Sequence, residues 1–122
     1  MQNNQLKQLI DTSSRIILKV GSSLLINENN NDINYHWLKN FSKEIQSLTD
    51  KKKQIMIVSS GSVALGRKQL NLVKNLSLDE KQAAAAVGQI HLSHAWKEVL
   101  KSFNLDSAQI LLAPDDTETR RK

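Results

Sequence analysis

Cysteine is absent from the 122 residues. That removes disulfide frameworks, thiolate metal sites and thiol catalysis together, and makes a reducing, cytoplasmic setting the expectation. No run approaches the roughly 20 apolar residues that span a bilayer. The polar segment from Met1 to Ser14 lacks the apolar centre of a secretory signal. There is no internal repeat and no low-complexity linker. Hydrophobic residues make up 39% and charged residues 24%, which suffices for a core and argues against general disorder.

The formal charge is +5, from 17 basic and 12 acidic residues. Such a balance raises nucleic acid as a partner. The basic residues are scattered, however, and only Lys51-Lys52-Lys53 and Arg120-Arg121-Lys122 form runs. The first falls between a predicted helix and strand, where a solvated turn explains it. A nucleic-acid partner is therefore not expected.

Residues 1–14 read as a polar arm with at most a short helical turn through Leu6, Leu9 and Ile10. Arg15 to Val20 is a short, β-branched apolar run closed by Gly21, the pattern of a buried parallel strand. Asn27 to Asn34 is turn-like and predicts an exposed loop. From Tyr35 to Asp50, Leu38, Phe41, Ile45 and Leu48 recur at spacings of three, four and three, predicting an amphipathic helix. Gln54 to Val58 is a second strand, and Ser59 to Gly66 a small-residue turn leading into a helix. Ser77 and Glu80 form a capping box that opens a long helix from Asp79 to Phe103, in which Gly88 marks a break or a close helix contact. Ser107 to Ala113 reads as a third strand ended by Pro114. Asp115 with Glu118 resembles the start of another helix. Strands alternating with helices predict an α/β fold with a parallel sheet covered on both faces. Three strands are few for such a sheet, so the chain is expected to be cut rather than finished.

Two turns follow predicted strands at their carboxyl ends, where open α/β sheets bind ligands. The first is Lys19-Val20-Gly21-Ser22-Ser23. A glycine there lets backbone N–H groups approach phosphate oxygens, the serines add donors, and the ammonium faces the charge that develops in phosphoryl transfer. It is not the Walker pattern. Taken alone, ordinary turn chemistry explains it as well. The second turn, Val58 to Arg67, carries Ser59, Ser60 and Ser62 around Gly61 between a strand and a helix. Helix-terminal N–H groups and hydroxyls suit a carboxylate or a phosphate, and simple capping by one serine is the competing explanation. Adjacent parallel strands would place both turns side by side.

These two segments, with Lys81 to Gln89 and with Gln109 to Leu112 followed by Asp116 and Arg120, resemble the amino-acid kinase family, and within it the glutamate 5-kinase branch. The likeness runs from about Arg15 onward, leaving 1–14 as an arm and 15–122 as the N-terminal portion of a kinase domain. It implies a three-layer α/β/α sandwich with a mainly parallel sheet, incomplete in this chain. It also implies ATP-dependent phosphorylation of the side-chain carboxylate of L-glutamate to glutamyl 5-phosphate, the first step toward proline, with Mg2+ accompanying ATP. Under the resemblance Lys19 contacts the transferring phosphoryl group, Gly21 and Ser22 cradle phosphate, and Ser60, Gly61 and the backbone of Ser62 meet glutamate. Family members are commonly homo-oligomers.

The sequence departs from the family at Ser62, where alanine is more usual, and at Ala113-Pro114, where Thr-Arg is common. The family continues with a glutamate-binding segment, a nucleotide-binding half carrying a second lysine and, in many members, an RNA-binding-like module. The alternative reading is accordingly an inactive, truncated fragment with at most weak anion binding. His91 and His94 share a helix face without a third ligand and read as ordinary helix residues. Trp96 and Phe103 read as core or interface. Asp115, Asp116 and Glu118 suit a helix start rather than a catalytic pair.

Overall fold

The computed structural model describes residues 2–73 and 75–112. The elements run α1 (Gln2–Thr12), β1 (Arg15–Val20), α2 (Ser22–Leu25), β2 (Ile26–Asn27), β3 (Asp32–Ile33), α3 (Tyr35–Asp50), β4 (Gln54–Ser59), α4 (Ser62–Gln69) and α5 (Leu78–Ser102). β1 and β4 pair in parallel, from Arg15 opposite Gln54 to Val20 opposite Ser59. The ladder extends a step at each end, with Gln54 N donating to Ser14 O at 2.8 Å and Ser60 N to Val20 O at 3.2 Å. A parallel pair needs a long crossover, and α3 supplies it.

The predicted stripe on α3 is where the core forms. Leu38 and Ile45 are buried, and Phe41 and Leu48 are partly so. Asn34 caps the helix by accepting from Trp37 N at 3.2 Å. Phe41 stacks on Trp37 at 4.8 Å and meets Trp96 of α5 edge-on at 5.8 Å, tying the two helices together. Ser42 is fully buried on the same stripe. The capping box of α5 forms as the sequence predicts, with Glu80 N donating to Ser77 Oγ at 3.2 Å and Ser77 N to Glu80 Oε1 at 3.1 Å. Ala84, Gly88, Leu92, Trp96 and Val99 make its buried face.

Gly88 is a close helix contact and not a break. A β-carbon placed there would overlap the Ser62 carbonyl and stand 2.7 Å from Gly66 N, and one placed on Gly66 would overlap the Ala84 carbonyl. The two glycines thus let the backbones of α4 and α5 touch.

The structure differs from the sequence expectation in four places. The sheet is covered on one face only among the described residues. Val20 is buried and Leu18, Ile55 and Ile57 pack against the core, whereas Ile17, Met56 and Val58 are 68%, 53% and 49% exposed. Apolar side chains on both faces announce burial on both, but no described element lies over the second face. Ser107 to Leu112 forms no strand, because it joins no backbone ladder, and Ile110, Leu111 and Leu112 stay exposed. Ala113, Pro114, Asp115, Asp116 and Glu118 lie outside the described residues.

The expected loop at Asn27–Asn34 holds a small hairpin, Ile26 pairing with Ile33 and Asn27 with Asp32. Asn31 turns it at φ 52°, a left-handed conformation that asparagine tolerates. The polar arm is mostly helix α1. Lys51 and Lys52 are exposed in a turn, as expected, and Lys53 Nζ donates to the carbonyls of Asp11, at 3.1 Å, and Ser13, at 2.6 Å, capping the end of that helix.

An alanine in a helix interior normally gains up to about 1 kcal/mol over glycine. At Gly88 the overlap with α4 reverses the sign. Gly88→Ala is expected to lose roughly 1–3 kcal/mol in urea denaturation through overpacking. A more stable variant would contradict the helix contact.

Candidate functional site

Register places both sequence-predicted turns at one end of the ladder, since Val20 faces Ser59 and Gly21 and Ser60 follow directly. The turns also touch: a β-carbon on Gly61 would stand 3.9 Å from Ser22 Cβ. Ser22, Ser59, Ser60, Gly61, Ser62, Val63, Ala64 and Arg67 line an open cleft of about 510 Å³. Ser22, Ser60, Gly61 and Ser62 are therefore brought together. Lys19 and Gly21 are not part of this lining. Lys19 lies opposite Val58 on the uncovered sheet face, exposed, two residues before the turn.

The two glycines have different causes. Gly61 sits at φ 120°, a left-handed conformation that disfavours any side chain, and a β-carbon there would press to 2.9 Å from Ile26 Cγ1. The fold itself demands glycine at 61. Gly21 has φ −76° and ψ 158°, an extended conformation open to any residue, and a β-carbon would meet only Ser23 Oγ at 3.9 Å. Neither backbone nor packing requires glycine at 21.

The capping explanation for the serines fails here. Gly61 is the N-cap of α4 and Gly21 that of α2, and neither helix has a side-chain cap. The hydroxyls of Ser22, Ser60 and Ser62 are left for other uses than capping. Ser59 is anchored separately: it accepts a hydrogen bond from Trp96 Nε1 at 3.0 Å, fixing the end of β4 to α5.

The hairpin that supports Gly61 is held by charge. Asp32 pairs with Lys68 at 3.0 Å and lies 3.9 Å from His91 Nε2. Partial burial pushes the Asp32 carboxyl upward, but the Ile33 N–H, the Lys68 ammonium and His91 outweigh it and leave it below the ordinary 3.8. Burial raises the Tyr35 phenol, with Asp32 and Glu98 adding to the effect. His94 pairs along its own helix with Glu98 at 3.1 Å, so the two histidines diverge to separate acids.

Arg67 closes the segment of the second turn, and the sequence pattern there singles out the serines and glycine rather than the arginine. Its signal was available: on a helix it shares a face with Ala64 and Val63, and so reaches the cleft that those residues line.

A model of the amino acid kinase family matches residues 14–122. Among curated relatives, the chain is 44% identical over 110 residues to a glutamate 5-kinase of Paramagnetospirillum magneticum, covering 90% of this chain and 30% of the relative. It is 48% identical over 109 residues to one from Rhodopseudomonas palustris, covering 88% and 29%. It is 45% identical over 113 residues to one from Caulobacter vibrioides, covering 92% and 30%. The chain thus spans about three tenths of the length of the relatives it matches.

Because the folded Asp32 pKa lies below its ordinary value, its contribution to stability is present above pH 3.8 and is lost as pH falls through the folded value. Asp32→Asn should therefore be less stable than wild type at neutral pH, and the two should converge in acid. A difference that is constant with pH would exclude the ion pair as its source.

Proposed function

The chain belongs to the amino acid kinase family, and from that premise we propose that it carries the phosphate turn and part of the substrate pocket of a glutamate 5-kinase. Residues 15–122 are then the first portion of the kinase domain, preceded by an arm. The uncovered face bearing Ile17, Met56 and Val58 is the one that the missing layer of a three-layer sandwich would pack against. The enzyme would be a cytoplasmic homo-oligomer on the route to proline.

The reaction needs no nucleophile from the protein. An oxygen of the glutamate side-chain carboxylate attacks the γ-phosphorus of ATP, a new P–O bond forms, and the bond to the β,γ-bridging oxygen breaks, releasing ADP. The protein supplies position and charge. Lys19 stands at the carboxyl end of β1 to balance charge on the transferring group. Gly21 and Ser22 offer N–H and hydroxyl donors to the phosphates. Ser60, Gly61 and Ser62 form the wall toward glutamate. Among the described residues no acidic side chain lines the cleft, so magnesium would arrive on the nucleotide's phosphate oxygens and waters and not on carboxylates of these residues.

The observation that carries this reading is Gly21. It is a glycine that the fold does not need, beside a glycine that the fold does need. Close approach of a polyphosphate to the backbone explains the first as strain explains the second.

Calorimetric titration separates the two roles. Gly21→Ala should leave stability unchanged or slightly raised, yet weaken ATP binding about tenfold, the loss expected for one or two charge-assisted hydrogen bonds. Ser60→Ala, which removes the hydroxyl but keeps the backbone N–H, should weaken L-glutamate more than ATP. Unaltered ATP affinity in a folded Gly21→Ala protein would remove the basis of the reading.

A further inference from the structure

Arg67 has a setting that the roles above leave unexplained. It is half-buried on α4 and borders the cleft of Ser22 and Ser60 on one side and a second hollow, lined by Asn31, Lys68 and Asn71, on the other. Lys68, its neighbour in sequence, is paired with Asp32 at 3.0 Å, and His91 approaches the same carboxylate. Arg67 has no acid within ion-pair distance among the described residues. A guanidinium is always charged and presents a planar fork suited to a carboxylate. Partial burial without an acidic partner makes an anionic ligand its natural complement.

We propose that Arg67 holds the α-carboxylate of the amino-acid substrate and so selects an acidic amino acid over a monocarboxylate of the same length. The proposal rests on the glutamate reading above. Arg67 follows Ser62 by five positions, about 7.5 Å along the helix axis. A ligand with one carboxylate directed to the Gly21 side and its other end lying along α4 presents its second carboxylate to the guanidinium. The serines carry no charge, so they cannot by themselves require two negative charges. Arg67 supplies that requirement.

The test uses L-glutamate and 4-aminobutyrate, which is glutamate without its α-carboxylate. Binding to the chain is followed by the indole N–H resonance of Trp96, which donates to Ser59 at the cleft wall. Wild type should prefer L-glutamate by about tenfold or more, the worth of a charge-assisted contact. Arg67→Gln should abolish the preference while keeping its affinity for 4-aminobutyrate within about twofold, and Arg67→Lys, which keeps charge but loses the fork, should restore part of it. An Arg67→Gln protein that retains the full preference overturns the role of Arg67 and leaves the glutamate reading intact. Equal loss of both ligands makes Arg67 structural and also overturns it. Failure of wild type to bind L-glutamate at all overturns the use of these residues as a glutamate site in this chain, and the role of Arg67 with it.

Discussion

The parallel pairing of β1 with β4 is the constraint on which the rest depends. Backbone hydrogen bonds in a parallel ladder fix both direction and register, so the carboxyl ends of the two strands must lie together. The ladder runs on through Ser60 N to Val20 O, and the turn after β4 is thereby drawn against the turn after β1. A shift of register by one residue would send Lys19 to the packed face and Val20 to the open one. It would also separate the serines from Gly21. The site is in this sense a property of two strands and not of any single side chain.

Helix contacts then aim the second turn. Gly66 and Gly88 bring α4 and α5 into backbone contact. Trp96 holds Ser59 from the same side, and the hairpin held by Asp32 and Lys68 places Ile26 beneath Gly61. The left-handed glycine is thus supported from below and behind. Such support on rigid elements suits the proposed phosphoryl transfer, since that chemistry depends on position and charge more than on reactive side chains.

Much of this could be read from the residues. The spacing of Leu38, Phe41, Ile45 and Leu48 fixed α3 at Tyr35–Asp50, the bounds observed, and Ser77 with Glu80 marked the start of α5. β1 was legible at Arg15–Val20 because β-branched residues are bounded there by a glycine. Other features were not legible because they are made by distant partners. Lys53 caps α1 across some forty residues, which no local pattern records. Ile17 and Met56 look as buried as Leu18 and Ile57, since hydrophobicity reports what a strand could bury and not what covers it. Residues 107–112 have strand character but join no ladder among the described residues. At the site, the sequence puts the serines in the turns after the two strands, where the structure has them, but offers capping as their equal explanation. Only the backbone angles at Gly21 and Gly61 distinguish the glycine that folding needs from the one it does not.

The central claim is that the two turns form one anion site. Amide chemical-shift mapping during a titration of the chain with inorganic tripolyphosphate tests it most directly. The account requires the amides of Gly21 to Ser23 and of Ser60 to Ser62 to move together along curves with a single dissociation constant. Shifts confined to one turn, or concentrated at Lys51 to Lys53 with no saturation, would contradict it.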